Sequence, residues 1–246
     1  MKFFKRFDLN KVKALSFDLD DTLYDNHPVI LKAENDFALY LQNRYHLPDC
    51  FCTNSFWASI KNAVGLAKPW LKDDVTKLRV YSLLEAFNAI RKPLQGGVAE
   101  AEALVAYFVT LRSQAKVPYS TFNLLKQLRE HYPVAALSNG NADLKILGLQ
   151  DCFDYNLRPC YLKIKSKPNA DLFINYAAQL NLKPHNILHI GDEPFSDIHG
   201  AVYAGCQCAW LYKGFAGDSP DAKELRVLPQ VLLHDLKELK TLLRLQ

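Results

Sequence analysis

Residues Phe17-Asp18-Leu19-Asp20-Asp21-Thr22 put two carboxylates two positions apart, with a third beside them, directly after the apolar run Ala14-Leu15-Ser16-Phe17. Three acids in four residues repel one another, so the cluster is costly unless a cation or hydrogen bonds compensate it. A divalent metal is the economical answer. Taken alone, the segment also reads as a solvated acidic turn, or as the start of a helix capped by Asp25 or Asn26. Later clusters lift it above those readings. Leu137-Ser138-Asn139-Gly140-Asn141 offers a hydroxyl and backbone N–H groups ahead of an expected helix, a geometry that suits phosphate. Ser166-Lys167-Pro168-Asn169 places a lysine before another expected helix, where the positive end of the dipole disfavours a cation unless an anion is near. Ile190-Gly191-Asp192-Glu193-Pro194-Phe195-Ser196-Asp197 ends a hydrophobic run with two aspartates five apart, which can complete a metal site with the first pair.

The elements around these clusters follow from periodicity. Ala14–Phe17 reads as a buried strand of a parallel sheet, so the acidic cluster lies at its C-terminal mouth, where open α/β sheets bind ligands. His27-Pro28 opens a helix carrying Ile30, Ala33, Phe37 and Leu41 on one side, and helices are expected over 55–66, 70–90 and 98–113. From residue 117 the chain alternates. Strands are expected at 133–137, 153–157, 186–190 and 206–211, and helices at 120–131, 141–149, 169–182, 195–204 and 232–243. The crossover between the first two strands exceeds a hundred residues, whereas a βαβ unit needs about 30. The expected architecture is therefore α/β: a Rossmann-like parallel-sheet core formed by 1–24 and 116–246, with an all-helical, four-helix cap domain, 25–115, inserted near the crevice.

Bulk properties narrow the function classes. The chain has 246 residues, 49% of them hydrophobic, with 30 basic and 26 acidic residues giving a net charge of +4. That balance gives no argument for a nucleic-acid partner. No apolar run reaches membrane-spanning length, and charge breaks Met1-Lys2-Phe3-Phe4-Lys5-Arg6 too early for a signal h-region. A soluble cytoplasmic protein, with no membrane partner, is expected. The six cysteines include two C-x-C pairs, Cys50/Cys52 and Cys206/Cys208, a spacing that does not suit structural zinc, so free thiols are expected. His189 sits in an apolar strand and is expected to be a satisfied interior residue, and the aromatics Trp57, Trp70, Tyr81 and Phe87 to be packing residues.

Four polar clusters in the order Asp-x-Asp, Ser, Lys, Gly-Asp-x₄-Asp, with helices inserted between the first and second, resemble the haloacid dehalogenase superfamily of phosphohydrolases. All four motifs are intact and the resemblance spans essentially the whole chain. Thr22-Leu23-Tyr24-Asp25-Asn26-His27-Pro28, Ser138-Asn139-Gly140-Asn141-Ala142 and Ser166-Lys167-Pro168 further resemble the bacterial branch that hydrolyses flavin mononucleotide and the riboflavin precursor 5-amino-6-(5-phospho-D-ribitylamino)uracil. His27 stands where that branch is expected to carry arginine.

The resemblance implies a Mg²⁺-dependent phosphatase for a small phosphate ester. It implies Asp18 as nucleophile forming an aspartyl phosphate, and Asp20 as general acid and then base. Asp18, the Asp20 carbonyl and Asp192 would hold the metal, Ser138, Asn139 and Lys167 would bind phosphate, and Thr22 and Asp197 would support the ligands from behind. Sugar-phosphate or nucleotide phosphatases are the alternatives within the superfamily. A phosphomutase, a dehalogenase or a non-catalytic binding module is the more distant reading. A dehalogenase has no use for an acid at Asp20 or for the acidic metal site, and a binding module would be free to lose Asp18 or Asp20.

Overall fold

The computed structural model describes residues 1–161, 163–212, 214–215 and 225–245, with backbone alone at 52 and 54. Strand β1 (Lys2–Phe3) precedes β2 (Ala14–Phe17), after which helices α1 (His27–Tyr45), α2 (Asn54–Ala67), α3 (Val75–Ala89) and α4 (Gly97–Arg112) follow without an intervening strand. The alternating part then runs α5 (Tyr119–Arg129), β3 (Val134–Leu137), β4 (Tyr155–Leu157), α6 (Asp171–Gln179), β5 (Ile187–Gly191), α7 (Gly200–Tyr203), β6 (Gln207–Leu211), β7 (Val231–Leu233) and α8 (Glu238–Leu243). The strands form one sheet in the order β1-β7-β6-β5-β2-β3-β4, parallel except for β1 against β7. This is the expected Rossmann-like α/β core with a helical cap.

The strand order explains where the site must lie. From β2 the chain winds outward through β3 to β4, and from β5 it winds the other way through β6 to β7. The reversal sits between β2 and β5, and their C-terminal ends therefore open a crevice. Period-two alternation divides the core into two layers. Leu15, Phe17, Val134, Ala136, Leu188 and Ile190 pack on one face with residues of α5 and α8. Ala14, Ala135, Leu137 and Ile187 pack on the other with α6 and α7. Leu15 is fully buried between its neighbours, so truncation to alanine should cost about 2–5 kcal/mol. A third cluster belongs to α1–α4 themselves, built on Phe37, Leu41, Leu83, Phe87, Leu104 and Phe108.

Several expected elements differ in detail. The segment 141–149 is a turn rather than a helix. Asp143 accepts a hydrogen bond from the Lys145 backbone, and Gly148 at φ +72° ends the turn, while Leu144, Leu147 and Leu149 still reach the core. No helix dipole therefore stands behind Ser138. The expected helix 70–90 is split, because the Asp74 side chain caps Lys77 N at 2.9 Å and starts α3 there, leaving a 3₁₀ turn over Pro69–Asp73. At the C-terminus, β7 takes Val231–Leu233 and only 238–243 is helical. The apolar residues of β7 run in phase with Leu236, Leu239 and Leu242, which hides the break in sequence. The two residues of β1 carry no periodicity, so the sequence holds no sign of that strand.

Residues 195–204 begin as a π-turn over Pro194–His199, in which Ile198 N bonds to Glu193 O five residues back. Cys50, Cys152, Cys160, Cys206 and Cys208 are free thiols; the Cys52 side chain lies outside the described residues. Among the described residues, no helix is long and apolar enough to cross a membrane.

Candidate active site

Asp18 follows β2 directly, with Ser138 at the end of the adjacent β3 and Asp192 at the end of the adjacent β5. Sheet register alone thus brings three of the four sequence clusters together. The fourth arrives on the loop between β4 and α6. Lys167 is 3% exposed, and its ammonium donates to Asp18 Oδ1 and to Asp197 Oδ1, both at 2.6 Å. Asn139 holds that loop in place with both ends of its carboxamide. Its Nδ2 donates to Lys167 O at 2.8 Å, and its Oδ1 accepts from Lys167 N at 2.8 Å. The side chain expected at the phosphate is therefore engaged with the lysine backbone.

Asp197 reaches beneath the end of β5 because Gly191 has no side chain. A Cβ there would fall within 2.4–2.5 Å of the Asp197 side chain. Asp197 is completely buried and saturated: Oδ1 accepts from Lys167 and meets His189 Nε2 at 3.3 Å, while Oδ2 accepts from Glu193 N at 3.0 Å. His189 lies opposite Ser16 in the β2–β5 register, with Nδ1 2.9 Å from Ser16 Oγ. Burial depresses its basicity, and a neutral ring with Nε2–H toward Asp197 and Nδ1 accepting from Ser16 satisfies all three groups. His189 is the satisfied interior histidine that its apolar strand suggested.

The charges explain one another. Burial alone would lower the Lys167 pKa, but Asp18 and Asp197 outweigh it and hold the ammonium charged beyond its ordinary range. Burial would raise Asp197, but Lys167 and His189 outweigh it and keep the carboxylate well below the usual range. Asp192 is pushed up to about 7 by burial and then by Asp197, against a hydrogen bond from Thr22 Oγ1 to its Oδ1 at 2.6 Å. Asp18 is pushed well above the carboxylate range by burial, despite Lys167, with Asp197, Asp192 and Asp20 adding repulsion.

One lysine does not neutralise this cluster, and the shortfall is what a cation site looks like before its ion is counted. Asp18, Asp192 and Asp197 each present a carboxylate oxygen within 4.8 Å of the others. An all-oxygen set suits a hard divalent ion such as Mg²⁺. Both oxygens of Asp197 are engaged, and so are Oδ1 of Asp18 and Oδ1 of Asp192, which leaves Oδ2 of Asp18 and Oδ2 of Asp192 for an ion.

Asp20 is held from a direction that the sequence did not suggest. Asp21 takes a left-handed φ of 59°, and the chain turns so that the buried Tyr24 donates its hydroxyl to Asp20 Oδ1 at 2.6 Å. The second donor to that oxygen is Arg112 Nη2 at 2.8 Å, from the last residue of α4. A buried tyrosine hydroxyl must find an acceptor, and Tyr24 four residues after Asp20 was a readable signal for one of the two. A basic residue at a helix C-terminus is ordinary, so Arg112 gave none.

The helical insert also touches the lysine loop through Asp73, which accepts from Ser166 N at 3.0 Å and Ser166 Oγ at 2.6 Å. It touches the β3 loop through Thr76 Oγ1, 3.2 Å from Asn141 Nδ2. Of the aromatics, Phe87 is in the insert's core and Trp57 packs on Phe51 and Phe56, whereas Trp70 and Tyr81 are exposed.

A family model for haloacid dehalogenase-like hydrolases matches residues 12–205. The 5-amino-6-(5-phospho-D-ribitylamino)uracil phosphatase YigB of Escherichia coli K12 is 35% identical over 243 residues, covering 99% of this chain and 100% of that protein. A glyceraldehyde 3-phosphate phosphatase of Pyrococcus furiosus is 27% identical over 238 residues, covering 91% of this chain and 93% of its own. Among solved structures, a 2-haloacid dehalogenase of Pseudomonas syringae pv. Tomato DC3000 superposes with a TM-score of 0.78 at 28% identity, covering 95% of this chain and 98% of that one.

Proposed function

The chain belongs to the haloacid dehalogenase-like hydrolases, and from that premise we propose that it is a Mg²⁺-dependent phosphomonoesterase working through an aspartyl phosphate on Asp18. The observation that carries the reading is Asp18 itself, fixed at the mouth of β2 between Lys167 and Asp192, with a second carboxylate, Asp20, two residues on. We assign residues 25–115 to the cap and 1–24 with 116–246 to the catalytic core.

A phosphate monoester is a dianion with a poor leaving group, so its cleavage needs neutralised charge, an in-line nucleophile and a proton for the departing oxygen. Asp18 attacks phosphorus as the ester P–O bond breaks, splitting one hard step into two. Asp20 gives its proton to the leaving alkoxide and afterwards takes one from the water that hydrolyses the acyl phosphate, a contribution typically worth about 10²–10⁴-fold. Lys167 offsets charge on the phosphoryl oxygens, with the Ser138 hydroxyl as a further donor. Asn139 serves here by fixing the Lys167 backbone, and Asp197 by fixing its ammonium. Asp18, the Asp20 carbonyl and Asp192 would hold Mg²⁺, with Thr22 orienting Asp192; the ion supplies the remaining positive charge for the phosphate.

The dehalogenase named among the structural neighbours is a less suitable guide to activity. Carbon–halogen cleavage needs no proton at a leaving oxygen, so the bonded Asp20 and the surplus carboxylate at Asp192 would be costs without use. For the substrate we propose 5-amino-6-(5-phospho-D-ribitylamino)uracil or flavin mononucleotide, supported by the near-complete overlap with the Escherichia coli phosphatase.

Phosphate release from a panel of flavin, sugar and aryl phosphates, with Mg²⁺ and with chelator, tests both levels. Activity should vanish on chelation, return with Mg²⁺, and be absent in Asp18→Asn. Undiminished turnover in chelator after dialysis would overturn the metal-dependent mechanism. A ringless ester as the preferred substrate would overturn the flavin-pathway assignment alone.

A further inference from the structure

We propose that Arg112, at the end of the cap, is the positioning residue that aims the Asp20 acid at the leaving-group oxygen, so that proton delivery depends on the cap being docked. The inference rests on the reading of Asp20 as the acid.

Arg112 is 3% exposed, and its guanidinium joins three separate parts of the chain. Nη2 donates to Asp20 Oδ1 at 2.8 Å and to Asn26 Oδ1 at 2.9 Å, while Nη1 donates to Asn141 Oδ1 at 3.3 Å. Asn26 lies where the chain leaves for α1, Arg112 where α4 returns, and Asn141 on the loop after β3. Next to it, Ser113 Oγ accepts from Asp143 N at 2.8 Å, so the end of α4 is anchored to the same loop. One cap side chain thus ties both crossings and the phosphate-side loop to a single carboxylate oxygen.

Stability does not explain a guanidinium here. Arg79 and Arg158 are both near enough for Arg112 to disfavour their charged forms, and Arg112 Nε is buried without a partner. An ion pair between a buried guanidinium and a partly exposed carboxylate adds little net stability over apolar packing. What the arginine supplies that packing cannot is direction. With Tyr24 and Arg112 both on Oδ1, the Asp20 carboxyl plane is pinned, and the oxygen left to carry a transferable proton is Oδ2. That oxygen lies above Gly140, 2.6 Å from where a Cβ would stand. In the first half-reaction the Asp18–phosphorus bond forms and the ester P–O bond breaks. The proton on Oδ2 passes to the departing alkoxide, and Asp20 is left as a carboxylate facing Arg112 and Tyr24.

Leaving-group dependence separates aiming from simple structural support. An alkyl phosphate needs the acid, whereas 4-nitrophenyl phosphate expels a stable phenolate and needs it little. The value of kcat/KM reports only the steps up to alcohol release, before Asp20 acts as a base. In the Mg²⁺-loaded full-length enzyme, Arg112→Ala should lose about 10–100-fold more kcat/KM on the alkyl ester than on the aryl ester. Arg112→Lys should recover part of that difference. The Arg112→Ala/Asp20→Asn double variant should lose no more than Asp20→Asn, because both remove the same proton transfer.

Equal losses on both esters, no loss on either, or an additive double variant would overturn the inference. If Arg112→Ala does not fold, the ester ratio of Arg112→Lys decides in the same way. An Asp20→Asn enzyme indifferent to the leaving group would bring down the acid assignment and this inference with it. An Asp20→Asn enzyme sensitive to the leaving group, beside an insensitive Arg112 variant, would bring down this inference alone.

Discussion

Replacing Lys167 with methionine keeps most of the stem's packing and deletes the charge, which isolates what the ammonium does for the fold. Its side chain is 1% exposed, and it bonds Asp18 and Asp197, whose side chains are 13% and 0% exposed. Removing one member of a buried ion pair typically costs about 3–5 kcal/mol, because the remaining charge is left uncompensated. For a protein of this size each kcal/mol moves the melting temperature by about 2–4 °C. Without a divalent ion, Lys167→Met should therefore melt roughly 6–20 °C below the parent protein near pH 8.

The direction with pH follows from the carboxylates. In the parent, Lys167 helps keep Asp197 below its ordinary range, so that stability is present above the ordinary carboxylate pKa and fades only in acid. In the variant, burial and the neighbouring acids raise Asp18 without Lys167 to oppose them, and Asp197 keeps His189 against burial. The Asp18 contribution is then favourable below the ordinary carboxylate pKa and lost as pH rises, and the Asp197 contribution at high pH is weakened. The gap in melting temperature should accordingly narrow between about pH 8 and pH 5, and Mg²⁺ should restore part of it through Asp18. Thermal denaturation of both proteins in chelator at the two pH values is the assay. A variant melting within about 2 °C of the parent near pH 8, or a gap that widens in acid, would refute the charge argument.

Two further outcomes follow from the same geometry. Gly140→Ala places a methyl 2.6 Å from Asp20 Oδ2 and 3.1 Å from Arg112 Nη1, both ends of side chains that can shift; kcat/KM should fall by about a hundredfold from misplaced geometry while the fold persists, as steady-state rates beside circular dichroism will show. Asp192, raised to about 7 by burial and Asp197, must lose its proton to bind a cation, so the Mg²⁺ concentration for half-maximal activity should rise about tenfold per pH unit below neutrality; a midpoint flat from about pH 7.5 to 5.5 would contradict the raised pKa.

The sequence carried the site's chemistry further than its secondary structure. Asp18, Ser138 and Asp192 could be placed because each ends a short apolar run, and a parallel sheet brings such ends together whatever the exact element bounds. Lys167 could be placed because a lysine ahead of a helix, at the positive end of its dipole, points to an anion nearby. The segment 141–149 could not be read correctly, because its leucines serve the core equally well from a turn, and the left-handed Gly148 that ends the turn is a backbone fact. The β7–α8 boundary was hidden by a hydrophobic run that changes period without changing composition. Arg112 was invisible for a different reason. Its partners Asp20, Asn26 and Asn141 are joined only by the docking of α4, and no local pattern records a contact made across 86 or 92 residues.

The two carboxylates of the first motif are thus held by different means. Asp18 belongs to the sheet: β2 carries it, and Lys167, itself fixed by Asn139 and Asp197, bonds it from within the core. Asp20 faces the insert, and its orientation depends on Tyr24 and on the last residue of α4. On the proposed mechanism the nucleophile needs a fixed distance to phosphorus, and the end of β2 supplies it for Asp18. On the same proposal the acid, Asp20, is needed only while a leaving group is present, and the cap is the part that would cover a leaving group. Placing control of Asp20 there makes protonation conditional on enclosure, whereas the Lys167 ammonium is held by Asp18 and Asp197, both outside the insert. Loosening α4 from the core would therefore cost leaving-group protonation before it costs nucleophilic attack.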